Sequence, residues 1–517
     1  MKRIRSLSIS LLICALATPM PAADDIYDIC DYGAVPGGKT LCTRAIQKAI
    51  DACSQDGGGV VSLPAGRFLS GTIVLKSKVT LRLEAGCTLL GSTDLKDYPR
   101  TVPSFRSYTD NYTEKSLIYA EKAERIAIVG RGTIDGQGKA FEGPYKVRPY
   151  MIRIIECKDV VVEDVTIVDS PMWVQHYLAC DDVRIDGIRV HSLVNHNNDG
   201  IDIDCCRRVT ISNCNIVSGD DAIVLKSTAD RVCRDVVVSN CVLSSRCNAL
   251  KMGTESNGGF QNIVLSNCAI YETRLAGVAL EIVDGGRMDR VVVSNITMHG
   301  VGAPIFVRLG NRARPFRKDM ARPDMGVLRN VTISNIEARG ADPTGCAISG
   351  LPEAHIENLT LTNLRLSFLG GGAIEQSNRT VPEKPESYPE YSMFGRLPAY
   401  GLYCRHVRGL RMAGVQLQFE KDDLRHAIVL DDVENVWLGG IESDFANGAQ
   451  SVMQFDDVRG AIIRGCRPRE ASDLFLQVEG DSGGVMLCDN DLSNVERAVA
   501  LGDGVPAGAV RKDNNLE

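Results

Sequence analysis

Short apolar runs alternate with polar or glycine pairs along most of this chain, at nearly constant spacing. Val160-Val161-Val162-Glu163-Asp164-Val165 is followed by Val183-Arg184-Ile185-Asp186-Gly187-Ile188 and Val209-Thr210-Ile211-Ser212-Asn213-Cys214. The pattern continues at Val236, Ile263, Val291, Val331 and Leu359, so that successive starts lie 23, 26, 27, 27, 28, 40 and 28 residues apart. Within each unit the apolar residues recur at every second position, which is strand rather than helix periodicity. Self-similarity at such a period predicts stacked supersecondary units, each unable to bury its apolar face alone. No helix and no Leu/Asn signature recurs in each unit, so a leucine-rich repeat is not the reading. The pattern predicts an all-β solenoid, a single-stranded parallel β-helix, from about Ile126 to beyond Val436-Trp437-Leu438.

Asn213, Asn240, Asn267, Asn295, Asn335 and Asn363 recur at one bend of the unit. Asn tolerates left-handed backbone and bonds its own turn, and stacked copies can bond one another as a ladder. Cys214, Cys241 and Cys268 form a second column, which reads as packing, because a free thiol behaves as a small buried hydrophobe. Segment 40–53 departs from the strand pattern. Its apolar residues fall at helical spacing before Gly57-Gly58-Gly59, which predicts a helix lidding the N-terminal end of the stack. Two segments interrupt the repeat. Segment 311–327 carries Arg312, Arg314, Arg317, Lys318 and Arg322, and segment 370–403 is rich in Pro and Tyr. Insertions in a repeat array tend to fall on the binding face.

The chemistry concentrates in two consecutive units. Asn197-Asn198-Asp199-Gly200-Ile201-Asp202 is followed by Gly219-Asp220-Asp221-Ala222-Ile223. If the two following runs stack, Asp199, Asp220 and Asp221 meet on one surface with units about 4.8 Å apart. Clustered carboxylates raise one another's pKa, and glycoside hydrolysis uses such a pair, one carboxyl protonated and one ionised. For each Asp taken singly, turn chemistry is the competing explanation. Strict alternation from Ile223 and Leu225 would turn Asp221 inward, so its role requires it to sit in the bend before the strand.

Composition changes this picture little. The chain has 517 residues, 44% of them hydrophobic, 49 Gly and a net charge of −7, consistent with one elongated β domain and giving no global sign of nucleic-acid binding. Lys2, Arg3 and Arg5 precede an apolar stretch at 7–17, too short to span a membrane. A signal peptide at 1–22 is expected, leaving 23–517 as an exported catalytic domain, periplasmic or extracellular. Of 18 Cys, Cys14 would leave with that peptide, and the odd remainder leaves at least one thiol unpaired within a chain; the pairing stays open.

In order along the chain, Tyr32-Gly33-Ala34, Gly58-Gly59-Val60-Val61, Gly132-Thr133-Ile134-Asp135-Gly136, Ser170-Pro171-Met172-Trp173 and the two Asp motifs resemble the polygalacturonase family of pectin-degrading glycoside hydrolases, family 28. The resemblance implies a right-handed β-helix and an inverting mechanism, with Asp220 matching the general acid and Asp199 and Asp221 the pair that activates water. It implies a pectic polysaccharide or oligosaccharide as substrate, with no cofactor and no metal. Two motifs depart from the family. Cys247-Asn248-Ala249 stands where Gly-His-Gly is usual, and Ala279-Leu280-Glu281 where Arg-Ile-Lys binds uronate. A Glu there would repel a uronate carboxylate, which tilts the expected substrate toward a mixed backbone such as rhamnogalacturonan. The candidate binding residues are therefore His196, Lys226, Asn248, Lys251, Glu281, Arg308, Arg314 and Arg317. Lys226, Lys251 and Arg308 alternate with core positions, and a solvated face is their competing explanation. His176 and His191 are weaker candidates than His196. No nucleic-acid partner and no membrane span are expected, and the chain is expected to be a monomer. Two alternatives stay open: a Ca²⁺-dependent pectate or pectin lyase whose Asp residues bind the ion, and a β-helix that only binds glycans.

Overall fold

A computed structural model describes residues 26–517, and the expected signal peptide lies outside the described residues. The strands join in one continuous system of parallel pairings, from Ile26–Asp28 to Val510–Asp513. The repeats stack in the predicted register: Val160 pairs with Val183, Val183 with Val209, Val209 with Val236 and Val236 with Ile263. The column continues through Val291, Val331, Leu359, Leu410 and Val436 to Ala461 and Val485. The solenoid thus begins well before Ile126 and continues beyond Val436-Trp437-Leu438 as expected, because its outer coils keep the backbone pairing while their apolar spacing is less regular. The first and third apolar positions of each unit point inward and form one core running the length of the stack.

The six Asn of the bend all have φ between 52° and 59°, the left-handed region in which Asn is tolerated. Asn295 Nδ2 donates to Asn267 Oδ1 at 3.0 Å, Asn335 to Asn295 at 2.8 Å and Asn363 to Asn335 at 2.7 Å, so the expected ladder forms over four coils. Asn213 instead donates to Asp186. Cys214, Cys241 and Cys268 are buried free thiols, each donating to the carbonyl two residues before it. Helix α1 (Thr43–Gln55) buries Ala45, Ile46, Ala49, Ile50 and Cys53 against the first coils, as a lid requires.

Segment 370–403 is shorter as an insertion than expected, since Tyr400 and Tyr403 already belong to strand Ala399–Phe419. The Tyr400 side chain enters the main core, whereas Tyr403 points outward and meets the insertion. The preceding residues fold down onto the sheet face that continues from Lys251. There Ala279, Phe306, Ala347, Tyr403 and Val429, which follow one another in register, form a separate apolar cluster with Val381, Phe394 and Leu397.

Candidate functional site

Strands Ile201–Asp204 and Ile223–Ser227 pair with Ile201 opposite Ile223 and Ile203 opposite Leu225, all four in the core. Alternation then places Asp202, Asp204 and Lys226 on the outer face. Asp199 and Asp221 precede these strands, and their bends stack: Gly200 N donates to Asp221 O at 2.9 Å, and Ala222 N to Asn248 O at 2.9 Å. Asp221 therefore escapes strict alternation, the condition on which its expected role depended. Its Oδ1 accepts from Asn248 N at 3.1 Å and Nδ2 at 2.8 Å, and its Oδ2 lies 3.2 Å from Lys251 Nζ. Asp220 is pinned differently, its carbonyl accepting from Ser218 and Ser245 hydroxyls at 2.6 Å each. Asp199 and Asp221 are each 3% exposed, whereas Asp220 is half-buried and reaches solvent.

Two lysines stand among these carboxylates. Lys226 Nζ lies 3.8 Å from Asp199, 3.6 Å from Asp202 and 3.7 Å from Glu255, with the Trp173 ring 4.8 Å away. Lys251 adds Glu281 at 3.9 Å and the Tyr388 hydroxyl at 3.5 Å. Neither lies on a solvated face; they are 6% and 2% exposed. Outside them, Arg314 bonds Glu255 at 2.6 Å and stacks on Tyr108, and Arg312 bonds Asp284.

The electrostatics separate two neighbouring carboxyls. Burial and then the charge of Asp221 push Asp220 up from its ordinary value. Burial opposes ionisation of Asp221 too, but Lys251, Lys226 and the Asn248 hydrogen bonds outweigh it and hold Asp221 below the usual range. Asp199 and Asp202 are pushed well up, by burial and then by neighbouring charge, each other's in the case of Asp199 and chiefly that of Asp221 in the case of Asp202. Burial also opposes the charge on Lys226, yet Glu255, Asp202 and Asp199 keep it an ammonium. One proton donor that reaches solvent beside one ionised acceptor is the division of labour that acid–base chemistry needs. Asp199 Oδ1, both oxygens of Asp202 and both of Glu281 are buried without a hydrogen-bond partner, so the site retains capacity for polar groups.

The structure redistributes the other sequence candidates. Asn248 spans two coils, donating to Asp221 and accepting from Ala276 N at 3.0 Å; it orients the carboxylate rather than facing the cleft. Arg308 is buried, and its guanidinium donates to Ser349 Oγ, Gly350 O, Glu383 O and Lys384 O, so it anchors the Pro-rich insertion. Arg317 is exposed and pairs with Asp319. His196 is exposed, and its carbonyl, with Pro171 O and Asn197 Oδ1, receives Arg148, which braces the loop leading to Asp199. His176 is buried against Tyr150 and faces Asp204 at 3.2 Å. Sequence reasoning missed Asp202, Glu255 and Tyr388 as members of the site. Asp202 was legible in principle, since it lies between two inward Ile; Tyr388 was not, because it arrives from 137 residues beyond Lys251.

Burial, opposed by Lys251, pushes Glu281 up to about 8. At neutral pH the carboxyl is mainly protonated, so it does not repel a uronate as its sequence position implied. A carboxyl raised in the folded state destabilises the fold progressively as pH rises from about 4.5 to about 8, because only the unfolded chain ionises there. E281Q is therefore expected to match the parent near pH 4 and exceed it by roughly 2–4 kcal/mol at pH 8 in denaturant unfolding. Equal stability at both pH values would contradict this.

These features define a parallel β-helix with a cluster of buried carboxylates and lysines on one face. The chain belongs to glycosyl hydrolases family 28, whose sequence pattern matches residues 53–385. A probable polygalacturonase of Vitis vinifera is 36% identical over 217 residues, 39% of this chain and 44% of the relative. An exo-poly-alpha-D-galacturonosidase of Dickeya chrysanthemi is 41% identical over 131 residues, 24% of this chain and 21% of the relative. An endo-polygalacturonase of Pectobacterium carotovorum subsp. carotovorum is 29% identical over 262 residues, 44% of this chain and 63% of the relative. The chain thus spans less than two thirds of the length of each. In three dimensions the chain resembles an exopolygalacturonase from Thermotoga maritima, with TM-score 0.60 and 22% identity over 78% of this chain and 93% of that one. A polygalacturonase from Erwinia carotovora ssp. carotovora gives TM-score 0.53 and 22% identity over 68% and 96%. At these identities the likeness speaks for the fold.

Proposed function

We propose that this protein hydrolyses galacturonate-containing glycans, with Asp220 as general acid and Asp221 as the base that activates water. The observation that carries the reading is the placement of these two neighbours, Asp220 reaching solvent beside Asp221, whose carboxylate Asn248 and Lys251 hold, with Asp220 pushed up and Asp221 held down accordingly. Asp220 protonates the glycosidic oxygen as the bond to the anomeric carbon breaks. Asp221 takes a proton from water, whose oxygen bonds that carbon from the opposite face and inverts it. Both oxygens of Asp221 are engaged, by Asn248 and by Lys251, which favours accepting a proton over attacking carbon. One oxygen of Asp220 lies within 4.8 Å of one oxygen of Asp221, a closest approach and not the separation of the carboxyl groups that distinguishes inverting from retaining enzymes. Inversion therefore rests on the family, and the anomer first released decides it. Burial and the neighbouring Asp202 push the Asp199 carboxyl well up, so Asp199 is less available as a base than Asp221 and serves to hold the water and the sugar.

Galacturonan is the proposed substrate ahead of a mixed backbone, since the repulsion that favoured rhamnogalacturonan disappears once Glu281 is protonated. We propose also that cleavage occurs at chain ends. The sheet face beyond Lys251 is occupied by the insertion and its apolar cluster, so a polymer cannot continue along the coils in that direction. The basic and apolar 1–22 segment supports export to the periplasm or beyond, and among the described residues no helix is long and apolar enough to cross a membrane.

Incubation with polygalacturonan and with rhamnogalacturonan tests all of this. The expected result is new reducing ends on polygalacturonan, monomeric galacturonate from the first time points, β-anomer first by NMR from α-linked substrate, and no ultraviolet absorbance of unsaturated uronate. A chelator should leave the initial rate intact. Unsaturated products restored by Ca²⁺ would establish the lyase instead, and early mixed oligosaccharides would refute end-directed cleavage.

A further inference from the structure

Away from the carboxylate cleft, two imidazoles and two carboxylates converge where the Pro-rich insertion meets the stack. His355 immediately precedes strand Ile356–Phe368, His406 lies in strand Ala399–Phe419, and Asp432 lies on the next coil in strand His426–Ser443. Asp432 Oδ2 stands 2.6 Å from His406 Nδ1 and 3.0 Å from His355 Nε2. One ligand atom from each residue lies within 4.8 Å of the other two, and the rings are nearly perpendicular at 83°. The remaining ring nitrogen of His406 faces Glu383 Oε1 at 3.1 Å, and Glu383 pairs with Arg405 at 3.0 Å.

We propose that His355 Nε2, His406 Nδ1 and Asp432 Oδ2 bind one divalent transition-metal ion of the zinc type. Two imidazoles and a carboxylate suit such an ion and not a hard cation, which takes oxygen ligands. Bonds of about 2.0–2.2 Å place tetrahedral ligands roughly 3.3–3.6 Å apart, so the present separations need to open by under about 1 Å. A histidine that ligates a metal through one nitrogen commonly donates its other N–H to a carboxylate, the position Glu383 already holds. The ion has an entry, since the Asp432 side chain is 27% exposed while His406 is 7% exposed. The cluster of Asp220, Asp221 and Cys247 belongs to the carboxylate cleft already described and lacks any imidazole. Because Glu383 belongs to the insertion, the ion would tie that insertion to the coils beneath it. The proposal does not depend on the hydrolytic assignment.

The test uses the full mature chain, stripped with a chelator, desalted, and titrated with Zn²⁺ by calorimetry and with Co²⁺ by absorbance. One equivalent should bind, Co²⁺ should give visible bands without thiolate charge transfer, and the unfolding midpoint should rise by on the order of a few degrees near saturation. The double variant His355→Gln, Asp432→Asn should lose the site, and Glu383→Gln should keep the stoichiometry with about 10–100-fold weaker affinity. His191→Gln, at an exposed position elsewhere on the stack, should bind like the parent. Binding well below one equivalent, a thiolate band, or unchanged affinity in both cluster variants would overturn the proposal. If the double variant loses its cooperative melt, the Glu383→Gln affinity alone decides.

Discussion

Asp220→Asn should lower turnover on polygalacturonan by about 10²–10⁴-fold, the usual contribution of general acid–base catalysis. The substitution keeps shape and removes the proton that the leaving oxygen needs. Melting should change little, because the Asp220 side chain is half-buried and the bend is held by its backbone carbonyl, to which Ser218 and Ser245 donate. KM should move less than kcat, the signature of an interaction made in the transition state. A substrate with an activated leaving group, which needs little protonation, should be cleaved at closer to the parent rate. Near-parent turnover on the natural glycoside would remove Asp220 from the role.

Lys226→Met should be the most destabilising single change in the cleft. Lys226 is the cation shared by Asp199, Asp202 and Glu255, and truncating one partner of a buried charge network typically destabilises by about 3–5 kcal/mol. The effect has a pH signature. Burial opposes ionisation of Glu255, but Lys226, then Arg314 and Arg312, hold it down at about 2. A depressed carboxyl contributes stability above about pH 4.5 that is lost as pH falls toward about 2. The deficit of Lys226→Met should therefore be largest near neutral pH and shrink as both proteins are taken below pH 4. A deficit independent of pH would mean that lost packing against Trp173, and not charge, is the cause.

The sequence carried the solenoid, its register and the three carboxylates because these depend on short-range order. Period-2 patterning fixes which residues face inward, and a repeat of about 27 residues then brings equivalent positions together without any long-range search. The Asn ladder followed from the same logic, since the same αL bend in successive coils places identical amides in a line. The boundary of the second insertion was misread at Tyr400 and Tyr403 because aromatic residues near Pro resemble a loop, while only the neighbouring coils reveal that they pair as strand.

What the sequence could not supply is the environment of each charge. Lys226, Lys251 and Arg308 all occupy outward strand positions, yet two lie among buried carboxylates and the third anchors a loop by donating to backbone carbonyls. Glu281 looks hostile to a uronate in one dimension and is a neutral acid in three, because burial outweighs the attraction of Lys251. Local periodicity determined the coil and the order of its residues. The insertions, arriving from far along the chain, decided which outward face is covered; burial raises both neighbouring Asp carboxyls, and only the lysines and Asn248 beside Asp221 bring that one back down.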